Sequence, residues 1–141
     1  MLDDRTVKIA IVVTGHLMWL STAAIRILRG EQALGLSGRG SLLIQLYQYL
    51  VWVPLVAATF LATGQADLGL EWRLAGLAIA LVSSLAGAWA MWTAPGSRYP
   101  GIVGYHVGAA MALESVALMV ATALLVVPYT VARVAAERRA R

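Results

Sequence analysis

The sequence predicts an all-α membrane protein, with four transmembrane helices in an up-down-up-down bundle. Three observations predict it. Of 141 residues, 60% are hydrophobic and only 13% charged, where ordinary soluble domains carry roughly 25% charged residues. The apolar residues form four long runs, and about 20 residues of helix cross a hydrocarbon core of roughly 30 Å. No run alternates apolar and polar residues with period 2, so the barrel signature is absent and helices must satisfy their own backbone groups in lipid.

The first span is expected at Val7–Leu28. It follows Asp3, Asp4, Arg5 and Lys8, and no small-x-small site precedes a polar region. It reads as an uncleaved span rather than a signal peptide, whose apolar part runs about 7–15 residues. The second span is expected at Leu42–Thr63, with Pro54 inside it as a predicted kink. The third is expected at Trp72–Thr93 and the fourth at Ile102–Tyr129, with a short basic tail over 130–141. The whole chain, 1–141, is then one transmembrane domain without room for a second. Gly30, Gly35, Gly38 and Gly40 mark the first connection, Gly64, Asp67 and Gly69 the second, and Pro95, Gly96, Pro100 and Gly101 the third. Short connections favour antiparallel neighbours.

Two spans carry stripes of small residues. Gly76, Ala80, Ser83 and Gly87 share one face of the third span, and Gly101, Gly104, Gly108, Ala112 and Ser115 one face of the fourth. Small side chains let helices approach closely in lipid, so the third and fourth spans should pack through these stripes.

The net charge of +4 comes from 11 Lys and Arg against 7 Asp and Glu. The basic residues cluster at the ends of apolar runs, which suits headgroup anchoring and gives no nucleic-acid stripe. Four spans would put Arg5, Lys8, Arg73, Arg133, Arg138, Arg139 and Arg141 on one side and Arg26, Arg29, Arg39 and Arg98 on the other. That seven-to-four balance favours both termini in the cytoplasm. The first span argues the other way, with two basic residues before it and three after. The sequence has no cysteine, which removes disulfides, thiol nucleophiles and Cys-ligated metals.

Glu114 is the sharpest candidate for chemistry. It lies near the middle of the expected fourth span, and an ionisable residue at membrane depth is a functional-site hypothesis by default. It would serve as a general acid/base, with His16 or His106 as partner. Its structural alternative is a carboxyl group that bridges two helices. The two histidines lack metal-site spacing, and no third or fourth ligand joins them, so no metal and no cofactor is expected. Gln45, Tyr49 and Trp52 share one face of the second span and suggest the wall of a pocket; an interfacial aromatic belt is the alternative. Trp19, Trp89 and Trp92 add aromatic surface that suits an organic cation or a cationic intermediate. Arg26 and Arg29, closing the first span, read as snorkelling to headgroups.

The run Trp89–Pro95 reads Trp-Ala-Met-Trp-Thr-Ala-Pro. It resembles the Trp-Gly-x-Phe-x-Ala-Pro segment of the YrdB-like family of small bacterial integral membrane proteins. That family places a basic residue and then a Glu in the following span, where Arg98 and Glu114 stand here. The likeness covers roughly residues 76–127, the interval from Pro95 to Glu114 is longer than the family's, and the N-terminal half does not share it. The resemblance implies a four-helix protein of the bacterial inner membrane and points to Glu114 and the Trp89–Pro95 turn, but brings no reaction.

Three functions are compatible with these features. The first is an intramembrane pocket for a lipophilic small molecule, with acid/base chemistry at Glu114. The second is a non-catalytic accessory subunit of a larger membrane complex, or a homodimer, packed through its small-residue faces. The third is a small proton-coupled transporter, which lacks a visible inverted repeat. Membrane lipid is a partner in all three.

Overall fold

A computed structural model describes residues 3–29, 39–93 and 98–139, with side chains for all of these except 26, 39–45, 47–49 and 137. The described residues are mostly helical, without a strand among them. The helices are α1 (Asp4–Arg29), α2 (Arg39–Leu61), α3 (Gly69–Thr93), α4 (Tyr99–Ala112), α5 (Val116–Ala121) and α6 (Val127–Arg139); a π-helical turn, Thr122–Val126, joins α5 to α6. Three stretches are long and apolar enough to cross a membrane: Asp4–Arg29, Gly69–Thr93 and Val116–Ala136.

The first three expected spans match α1, α2 and α3 to within three residues at each end. α2 runs through Pro54 as one helix. The fourth differs. The run expected as one span over 102–129 is divided at Leu113–Ser115 into α4 and the α5–α6 rod. The cause is local. Glu114 takes a left-handed φ of 51°. The Glu114 N–H donates to Met111 O at 3.2 Å and the Ser115 N–H to Ala110 O at 2.9 Å, the paired bonds of a Schellman helix end. Ser115 then caps α5: its backbone is extended and its Oγ accepts from Leu118 N at 3.1 Å. The expected tail also differs, because residues 130–139 continue α6. No Gly or Pro interrupts Tyr129–Arg139, and Ala and Arg are good helix formers.

The chain reverses at each connection. Asp4 at the start of α1 pairs with Arg73 at the start of α3 at 2.6 Å, and Lys8 Nζ donates to Phe60 O at the end of α2 at 3.3 Å. At the other end, Arg29 Nη1 donates to Trp92 O at 3.1 Å, and its guanidinium lies 5.2 Å from the Trp92 ring centre. α4 returns antiparallel to α3. The α5–α6 rod then runs back along both α4 and α2.

The tightest seam joins α3 to α4. A Cβ on Gly108 would strike Ala80 N and Gly76 O, and one on Gly101 would strike the Gly87 backbone. These are the two small-residue stripes, meeting as their spacing predicts, except that Ser115 leaves the stripe to cap α5. α4 sits centrally, with Tyr99, Tyr105, His106 and Ala109 among its buried residues. Large apolar side chains face outward instead, including Val13, Leu20, Ile27, Val53, Leu61 and Val82. That inversion suits a lipid surrounding, since water-soluble monomers rarely expose wide contiguous apolar surface.

The π turn has a chemical companion. Val127 N–H reaches back five residues to Thr122 O, and the next residue, Pro128, brings no N–H to the helix. A π turn widens the helix by one residue and lets the ladder resume past the proline.

Candidate functional site

A cavity of about 590 Å³ opens between α1 and α2, with α4 and α5 behind it. α1 supplies Val12, Gly15, His16 and Trp19; α2 supplies Trp52, Leu55, Val56, Thr59 and Phe60; α4 supplies Tyr105, His106 and Ala109; α5 supplies Leu118. Its arrangement follows from the packing. α1 leans on α3, α2 leans on α5 and α6, and the space between α1 and α2 is left over the buried α4.

Each polar side chain is held by its own helix or a neighbour. His16 Nδ1 bonds Val12 O at 2.7 Å, one turn back. His106 Nδ1 does the same to Ile102 O at 2.8 Å. A carbonyl can only accept, so Nδ1 carries a hydrogen in both rings; an uncharged imidazole in that tautomer presents Nε2 as an acceptor. The Tyr105 hydroxyl donates across to Ile11 O at 2.7 Å. Gly15 makes that crossing possible, because a Cβ there would collide with the Tyr105 hydroxyl. Thr59 Oγ1 donates to Leu55 O at 2.8 Å. His106 is set by two edge-on rings, Trp52 at 5.8 Å and Tyr105 at 5.1 Å. His16 meets Trp19 edge-on at 6.3 Å.

The cavity lies deep. Along α1, His16 is roughly 18 Å from Asp4 at 1.5 Å per residue, near the middle of this 26-residue helix.

Four of the sequence-predicted site residues come together here: His16, His106, Trp19 and Trp52. Glu114 does not line the cavity. It lies at the Asp4 end of the bundle, so the expected pairing with His16 or His106 is not made. Its carboxylate accepts from Leu68 N at 2.9 Å and lies 3.9 Å from Arg73 Nη1. Its backbone carbonyl accepts from Gln65 N at 2.8 Å and Ala66 N at 3.0 Å. Gln65 Oε1 in turn accepts from Ala117 N at 2.7 Å. The glutamate thus fastens the α2–α3 connection onto the α4–α5 turn, close to the structural alternative in the sequence.

The remaining tryptophans go elsewhere. Trp89 is 72% exposed, and Trp92 lies under Arg29. An aromatic box of Trp19, Trp89 and Trp92 is not formed. The side chains of Gln45 and Tyr49 lie outside the described residues, as does Pro95. Sequence reasoning missed Tyr105, Thr59, Phe60 and Gly15. Gly15 and Tyr105 each adjoin a singled-out histidine, which was the available signal.

Among the described residues no three His, Cys, Asp or Glu side chains gather in metal-binding range. The chain matches no protein-family model, no curated protein and no solved structure.

Proposed function

We propose that this chain is an integral membrane protein that holds a lipophilic small molecule in the cavity between α1 and α2. The observation that carries the reading is the cavity itself. Its volume of about 590 Å³ falls within the roughly 300–1,000 Å³ of small-molecule sites. Its walls are aromatic and aliphatic, with a few fixed polar groups at mid-depth. The flanking helices present apolar residues outward, so a ligand dissolved in the bilayer reaches the cavity sideways, between α1 and α2. Glu114 plays no chemical part in this reading; it closes a turn.

The same packing supports an orientation. Five passes put the start of α1 and the end of α6 on opposite faces, in place of the shared face that four spans imply. Arg5, Lys8 and Arg73 lie at the Asp4 end. Arg26, Arg29, Arg39, Arg98, Arg133, Arg138 and Arg139 belong to the other. Seven basic residues against three favour that second end as cytoplasmic, with the N-terminus outside.

Native mass spectrometry of the gently purified protein tests the function. A protomer or homodimer that carries a small apolar molecule, lost when Trp52 and His106 are replaced, is the expected result. Other protein chains bound in fixed ratio, with no small molecule, would favour the accessory-subunit reading instead. Reporter fusions at each terminus test the orientation, and reporters active on the same side would restore four spans.

A further inference from the structure

The polar groups around the cavity share a property that the proposed pocket does not require. Tyr105 and Thr59 have already committed their hydroxyl hydrogens to backbone carbonyls, of Ile11 and Leu55. His16 and His106 have committed their Nδ1 hydrogens, to Val12 O and Ile102 O. What remains is acceptor capacity: a lone pair on each hydroxyl oxygen and, in the Nδ1–H tautomer of an uncharged imidazole, one on each Nε2. His106 Nε2 has no hydrogen-bond partner among the described residues, and the His106 ring lines the cavity. The lining donors left over are the indole N–H groups of Trp19 and Trp52, on rings that are 61% and 38% exposed.

A cavity lined by acceptors prefers a guest that donates. A buried acceptor facing another acceptor is left unpaired, and a site built for a hydroxyl group discriminates strongly against an analogue without one. We infer that the cavity selects lipophilic molecules with a hydroxyl donor on a flat ring, phenols and hydroquinones, over their ether or carbonyl counterparts. The flat ring follows from Trp19, Trp52 and Phe60 along the walls. The inference rests on the pocket reading and adds the ligand's chemistry to it.

Para-hexylphenol and its methyl ether are the probes. They differ in one donor hydrogen and a methyl group. Binding to the full chain in lipid nanodiscs is read by tryptophan fluorescence and by calorimetry. The phenol should bind about tenfold more tightly, the worth of one well-made hydrogen bond. His16→Leu and His106→Leu should each reduce that preference while the ether's affinity holds. His106 is packed between two rings, so its variant is checked by thermal melt; His16 is exposed, and its variant keeps the test open if His106→Leu does not fold. Equal or tighter binding of the ether would overturn the hydroxyl inference and leave the pocket standing. An unchanged preference in variants that melt like the parent would overturn it as well. Binding of neither probe would sink the pocket reading together with the inference.

Discussion

The turn around Glu114 and the cavity around His106 are built from the same helix, α4, and use polar residues in opposite ways. At the turn, the Glu114 carbonyl, carboxylate and N–H all meet protein partners, from Gln65, Ala66, Leu68 and Met111. In the cavity, His16, Thr59, Tyr105 and His106 each have a single hydrogen-bond tether to a backbone carbonyl. Full satisfaction marks a structural element, since irregular backbone near lipid must find every bond inside the protein. Partial satisfaction at depth leaves capacity for a guest. A charge within an apolar run is therefore a weaker guide to chemistry than a neutral polar group with one edge left open.

The contrast depends on the α3–α4 seam, so the seam gives the largest expected effect. Gly108→Val should cost about 3 kcal/mol or more, because overpacking cannot be relieved where two backbones touch. Both turn and cavity should be lost, seen as a lower melting temperature in detergent and no probe binding. A variant as stable as the parent would show that α3 and α4 do not meet at Gly108.

Next comes Trp52→Ala, which removes a wall of the cavity and a ring beside His106. Affinity for an aromatic probe should fall by about tenfold or more, near the upper end of what a ring contact contributes. Trp52 is 38% exposed, so the fold should tolerate the change. Undiminished binding would mean that the guest sits elsewhere.

Glu114→Ala sharpens the comparison from the other side. It removes the acceptor for Leu68 N and leaves Arg73 with Asp4 and Ala112 O as partners. Stability should fall by about 1 kcal/mol while probe affinity in the folded fraction stays the same. Loss of binding at full stability would return Glu114 to the site. Glu114→Gly loses the same bonds but relieves the left-handed φ, which costs a non-glycine residue on the order of 1 kcal/mol. It should lie closer to the parent than the alanine variant does.

The smallest effect lies at the first turn of α1. Asp3 Oδ1 accepts from Thr6 N at 2.6 Å. The Thr6 side chain first, and its backbone N–H second, hold the Asp3 carboxyl below its ordinary value of 3.8 through hydrogen bonds. A lowered folded value stabilises the turn fully above about pH 4. The contribution is lost as pH falls through the folded value. Amide exchange at Thr6 should speed up only in that acid window, and Asp3→Ala should remove the pH step.

The helices were legible because their cause is local. Val7–Leu28 and Trp72–Thr93 are predominantly apolar, with their charged residues near the ends, and each became a helix close to its expected limits. The small-residue stripes were legible because spacing alone sets which face they share. The break at Leu113–Ser115 was not. Neither Gly nor Pro marks it, and its one local signal, Ser115 ahead of an apolar run, also fits an uninterrupted membrane helix. What stabilises the break is remote in sequence: the N–H groups of Gly64, Gln65, Ala66 and Leu68 converge on Leu113 and Glu114. The same break divides the expected fourth span into α4 and the α5–α6 rod.

By itself, then, the sequence determined a helical chain with membrane-length apolar segments and a close α3–α4 contact. Periodicity, composition and side-chain size act over one or two turns, and they suffice for that. The tertiary structure alone decided that Glu114 closes a turn, that α4 is buried behind α1 and α2, and that His16, Trp52 and His106 face one cavity. Those outcomes depend on bonds and packing between residues tens of positions apart, where many chain paths satisfy the same local pattern and only the complete set of contacts selects among them.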